Sequence, residues 1–184
     1  MEYAGFWRRL GAYLVDLVCL LPLIGINYYF GSHFRLFYLY WFLPELIIGV
    51  WFSVYLVYKY GGTPGKLLLK TRIAMVDGSP VTAKAAIVRH SVLFIFSTLS
   101  SIAVVYACLQ LSDAEYLSLT YMQQAEKLEE LAPSWYGINI ILMNIWVWGE
   151  FFTMLFNKKR RAVHDFLAGT VVINTEVNNT AVSN

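Results

Sequence analysis

Four mainly apolar stretches, at positions 10–29, 36–58, 91–111 and 135–156, constrain this chain more than any other feature. An α-helix needs roughly 20 such residues to cross about 30 Å of hydrocarbon, so each stretch is long enough to span a bilayer. None shows the alternation of a barrel strand, and helices keep every backbone group paired in lipid. Composition agrees: of 184 residues, 58% are apolar and only 14% are charged, against about 25% charged in a soluble domain. A disordered chain, a nucleic-acid-binding domain and an ordinary cytosolic enzyme are thereby excluded. The first partner to expect is the lipid bilayer, and nucleic acid is not expected. The two cysteines, Cys19 and Cys108, fall within spans and read as small packing residues; a disulfide scaffold or multi-cysteine metal site is excluded.

Arg8 and Arg9 precede the first apolar run, as in a secretory signal. That run lacks a small-residue cleavage site, continues through Asn27, Tyr28 and Tyr29, and contains Asp16, so a retained helix is expected. Orientation follows from the basic residues, which favour cytoplasmic loops. Arg8 and Arg9 lie before the first span. Lys59, Lys66, Lys70, Arg72, Lys84 and Arg89 lie between the second and third, and Lys158, Lys159, Arg160 and Arg161 follow the fourth. Only Arg35 and Lys127 fall on the other side, beside five acidic residues of loop 112–133. Both termini are therefore expected in the cytoplasm. Tyr28, Tyr29, Tyr38, Tyr40, Trp41, Trp135 and Tyr136 suit the opposite headgroup layer.

The loop after the second span carries Gly61-Gly62-Thr63-Pro64-Gly65, which must end the helix. Gly65-Lys66 invites a phosphate-loop reading, but Tyr60 and Leu67 stand where glycine and Ser or Thr are needed. Asp77-Gly78 after a β-type run signals a hairpin. Its return arm, Ser79-Pro80-Val81-Thr82, is short and suits an edge. With the run 169–173 these pieces predict a small cytoplasmic sheet. In the outer loop, residues 114–131 predict a surface helix with Leu117, Tyr121 and Leu128 near one face; a solvated face is favoured over an acidic vestibule for cations. The fold expected is thus an all-α membrane protein: a four-helix transmembrane bundle with a small β-hairpin or sheet. It forms one domain over residues 1–176, with a disordered tail at 177–184.

A carboxylate inside a bilayer costs about 2.5 kcal/mol or more and usually faces the bundle interior with a partner. Asp16, Glu45 and Glu150 fall within spans. Asp16 and Glu150 each lie seven residues from the basic end, roughly 10 Å deep at 1.5 Å per residue, so they should share one layer. Glu45 lies nearer the other leaflet. Asn27 and Asn139 are each eleven residues from their carboxylates, close to three helical turns, and suggest a polar seam between the first and last spans. A wet outer interface explains these asparagines equally well. Arg8, Arg9, Arg89, His90 or the run 158–161 could supply basic partners. The carboxylates could bind a proton or small cation in turn, or form a purely structural ion-pair cluster. His33, His90 and His164 have no zinc-ligand spacing, no hydrolytic triad is evident, and His164-Asp165 suggests a hydrogen-bonded pair or a helix cap. No metal, no other cofactor and no catalytic residue are expected.

Three ordered motifs resemble the RDD family of membrane proteins: the opening from Phe6-Trp7-Arg8-Arg9 to Asp16; then Gly61-Gly62-Thr63-Pro64-Gly65-Lys66 with Arg72, Asp77-Gly78 and Arg89; and finally Arg161-Ala162-Val163-His164-Asp165-Phe166 continuing to Thr170. By that resemblance the family's arginine is Arg9, with Arg8 adjacent, and its two aspartates are Asp16 and Asp165. Some members are implicated in cation/proton antiport, and others act within membrane-protein complexes. The resemblance implies a non-enzymatic multi-pass protein, placed in a bacterial inner membrane. One expectation is monovalent cation/proton antiport by a homo-oligomer, with Asp16, Glu150 and Glu45 binding ions or protons. In that reading Arg9, Arg8, Asp165, His164 and Arg161 form the charge network around them. The alternative is a non-catalytic scaffold or assembly factor whose basic face binds anionic lipid or a partner protein.

Overall fold

Apolar periodicity becomes four long helices in the computed structural model, which describes residues 1–175; the expected tail lies outside the described residues. Helix α1 is Phe6–His33, and α2 is Phe37–Val50. The latter continues through a π-helical turn, Trp51–Tyr55, into α3, Leu56–Tyr60. After the short α4, Pro64–Leu68, come β1, Thr71–Met75, and the long α5, Ala83–Leu109. Two short helices follow, α6 (Asp113–Leu117) and α7 (Tyr121–Leu131), before α8, Tyr136–Phe156; α9, Val163–Ala168, and β2, Thr170–Asn174, close the described chain. Four of these helical segments are long and apolar enough to cross a membrane. Large apolar side chains sit on their outside: Leu14, Val18 and Leu21 on α1, Leu43 and Ile47 on α2, Ile138, Ile141 and Ile145 on α8. Small residues such as Ala12, Ala103 and Ala107 are fully buried. This inverts a soluble core and suits helices packing closely in lipid.

The described chain gathers into two compact units. The first takes Met1–Cys19, Gly49–Val92 and the chain from Ile145 onward. Its sheet pairs β1 with β2 in antiparallel register, from Thr71 opposite Asn174 to Met75 opposite Thr170. Tyr3 bridges to Ile173 and Ala74 to Pro80, so the N-terminal segment and the short return arm flank the two strands, and the expected sheet forms. Its turn works as Asp77-Gly78 demands: Gly78 has φ of +89°, and Asp77 Oδ1 accepts from the Ser79 amide at 2.9 Å. The apolar face of the sheet, with Ile73 and Val172, packs on Ala4, Val57, Val81, Ala85 and Ala86. Gly61, in the left-handed conformation at φ +78°, ends α3, and its carbonyl accepts from Ile73 N at 2.6 Å.

The second unit comprises Leu20–Ile48 and Leu93–Asn144. Here the expected surface helix is two helices, α6 and α7, because Thr120 begins a new cap: its amide and hydroxyl both donate to Gln123 Oε1 at 2.9 Å. The break resets the helical face. Tyr116, not Leu117, is the anchor. It is fully buried, its hydroxyl donates to Gly31 O at 2.7 Å, and buried Gln124 donates to Tyr116 O at 3.0 Å. Leu128 is buried, whereas Leu117 and Tyr121 are exposed.

Candidate functional site

The first unit contains a charge network centred on Asp165, whose side chain is wholly buried. Local chemistry puts it there: at the third position of α9 its Oδ2 reaches back to accept from Ala162 N at 3.0 Å, as an acidic residue in a first helical turn does. Distant elements supply the rest. Arg9 Nη1 of α1 donates to Oδ2 at 3.0 Å, Thr170 Oγ1 of β2 donates to Oδ1 at 2.9 Å, and Arg89 Nη1 of α5 also binds Oδ1. Burial alone would push the Asp165 carboxyl up. Arg89, then His164 and Arg9, with the Ala162 amide, outweigh burial and hold it well below the usual carboxylate range.

Arg161 serves the same centre through backbone. Its Nη2 donates to Asp165 O at 2.7 Å and its Nε to Thr170 O at 3.0 Å, with the guanidinium 4.2 Å over the Phe166 ring. Asn157 fixes Arg161, accepting from its amide at 2.7 Å. Of the two adjacent arginines, Arg9 is buried in the network, whereas Arg8 lines an open cleft.

Asp16, also buried, is bound to the turn before α4. Its Oδ2 accepts from Thr63 Oγ1 at 2.6 Å and its Oδ1 from Gly65 N at 2.7 Å. Glycine is needed at 65 because a Cβ there would run into the Ala12 carbonyl and lie 2.9 Å from Asp16 Oδ1. Lys66 is buried beside this turn, with Nζ 3.4 Å from Thr63 Oγ1 and 4.8 Å from the centre of the Tyr13 ring. The sequence Thr-Pro-Gly-Lys thus docks onto α1 through a carboxylate.

Glu150 has a different partner. Its Oε1 accepts from His164 N at 3.1 Å, and its Oε2 meets His164 Nδ1. Burial, then Arg89, pushes the His164 imidazole below its ordinary value against the pull of Glu150 and Asp165.

Asp16 and Glu150 do not share a partner: one binds the 63–65 turn and the other His164. Asn139 does not join a seam with the first span either, because its Nδ2 donates to Ser100 Oγ at 2.9 Å and Phe96 O at 3.1 Å, both on α5. Glu45 belongs to the second unit, and its expected burial is not found: it is exposed, with Ser101 Oγ 3.4 Å away. Sequence reasoning missed the roles of Thr63, Gly65 and Thr170 as partners. It offered Arg89 for Asp16 or Glu150, whereas Arg89 binds Asp165. Only the motif order around these residues carried any signal of them.

Against known proteins, the model of the RDD family matches residues 3–169, nearly the whole chain. No curated protein and no solved structure matches it.

Proposed function

The chain belongs to the RDD family, and from that premise we propose that it is a non-catalytic scaffold or assembly protein of the membrane, standing with both termini in the cytoplasm. The observation that carries this reading is the closed state of its central carboxylate. Asp165, wholly buried, takes bonds from α1, α5, β2 and its own helix. A buried carboxylate so engaged ties the ends of helices together; removing one partner of such a group is strongly destabilising. Asp16 is held in the same manner by Thr63 and Gly65. Cation/proton antiport needs a carboxylate that releases one ligand to take another, and these carboxylates would have to break structural attachments at every cycle. Lys59, Arg72, Lys84, Lys158, Lys159 and Arg160 are exposed, and such cations suit anionic lipid, worth about 1 kcal/mol per cation near the surface. The test is reconstitution into liposomes with imposed sodium and pH gradients. The scaffold reading expects no ion flux above protein-free liposomes; flux that scales with protein would overturn it.

A further inference from the structure

Within the second unit, Glu45 stands where a carboxylate is hardest to satisfy. It lies eight residues into α2 from Phe37, roughly 12 Å at 1.5 Å per residue, and so close to the middle of about 30 Å of hydrocarbon. The residue is exposed. Among the described residues its one hydrogen-bond partner is Ser101 of α5, whose hydroxyl is 3.4 Å from Oε2. A contact of that length is weak, and one hydroxyl leaves most of the acceptor capacity of a carboxylate unused. The residues one turn away, Trp41 on α2 and Ser97 and Val105 on α5, are only half-buried, so the carboxyl opens outward between the two helices. Ser97 and Ser101 are small enough to let a further helix approach closely in lipid. Hydrocarbon offers the carboxylate neither water nor a hydrogen-bond donor, and ionisable groups at such a depth are paired. The spans of this chain supply no cation for it: none of the stretches 10–29, 36–58, 91–111 and 135–156 contains Lys, Arg or His. A second copy would therefore bring only another carboxylate to this level, and charge complementarity selects a different protein.

We propose that the outward side of α2 and α5 at Glu45 docks a transmembrane helix of a partner protein carrying one Lys or Arg near its midpoint. The cation pairs with the Glu45 carboxylate, Ser101 donates to the same carboxylate, and Ser97 leaves room for the backbone of the incoming helix. Ion pairing in hydrocarbon is specific because each charge is costly there without the other. The docking site rests on the scaffold reading, which it deepens by naming the class of partner.

The test is energy transfer in liposomes between the donor-labelled full chain and acceptor-labelled synthetic transmembrane helices of leucine and alanine. These helices carry Lys, Gln or Leu at the centre, or Lys moved two turns toward one end. The centred Lys helix should associate about 5- to 30-fold more tightly than the Leu helix, the range of polar contacts between model helices in lipid, and more tightly than the Gln or displaced-Lys helix. Glu45→Gln should lose that advantage while its insertion and melting temperature stay close to wild type. Equal association of the Lys and Leu helices, an equal association of the Gln helix, or an undiminished advantage in Glu45→Gln would overturn the inference. So would energy transfer between two labelled copies of the chain that Glu45→Gln abolishes, which would assign this face to a second copy. A wild type that binds no Lys helix and moves no ions would sink the docking site and leave the scaffold reading intact. Association together with ion flux would support the site and remove the scaffold reading.

Discussion

Two guanidinium groups depend on Asp165. Asp165→Ala leaves Arg9 and Arg89 buried without their carboxylate, and breaking such a buried pair costs about 3–5 kcal/mol. The variant should show markedly reduced thermal stability in detergent, and Asp165→Asn, which keeps the shape, a smaller loss. The pH dependence is fixed in sign. Asp165 titrates below its ordinary value of 3.8 in the folded chain, so its stabilisation is present above that pH and lost as the pH falls through the folded value. His164 also titrates below its ordinary 6.5 when folded; the unfolded chain takes up that proton first, and stability declines as the pH falls below 6.5. Melting temperature against pH should therefore begin to drop near that value, and His164→Gln should lessen this first decline. At this scale the sequence showed which acidic residues matter, since apolar surroundings make Asp16 and Glu150 conspicuous and the closing motif marks Asp165. It could not show their partners. Thr63 and Asp16 are separated by 47 positions and Arg9 and Asp165 by 156, and helical periodicity fixes a face on one helix but not its rotation against another.

The turn between α3 and α4 is an element whose geometry depends on one glycine. Gly65→Ala places a methyl against the Ala12 carbonyl, and overpacking of this kind typically costs about 1–3 kcal/mol. Gly149→Ala on α8, where nothing lies within 4 Å of the added carbon, should be tolerated, so thermal melts of the two variants should separate clearly. The spans themselves were legible to within a few residues, since hydrocarbon thickness fixes their length. Helix α1 starts at Phe6 rather than 10, because a helix can continue beyond the hydrocarbon that defines the apolar run. The hairpin turn at Asp77-Gly78 and the joining of run 169–173 to the same sheet were also readable from β-branched residues and glycine. The outer segment was not. A single helix over 114–131 puts Leu117, Tyr121 and Leu128 near one face; the cap at Thr120 changes the phase, so Tyr116 takes the buried position.

For the whole molecule, the basic residues make a topological prediction that thiol labelling can check. In sealed, right-side-out membranes holding a chain without Cys19 and Cys108, Lys159→Cys should resist a membrane-impermeant reagent until the membrane is opened. A cysteine at Glu126 should react from outside. Asp16→Asn separates a membrane carboxylate that serves as an attachment, as proposed for this RDD protein, from one that carries ions. A hydrogen bond to a charged group contributes about 1.5–3 kcal/mol, and a chain of this size shifts by roughly 2–4 °C per kcal/mol. The melting temperature of Asp16→Asn, measured beside the wild type in the same lipid nanodiscs, should therefore fall by roughly 3–12 °C, with no ion flux by either protein in liposomes. An unchanged melting temperature, with wild-type flux abolished by the substitution, would contradict the account.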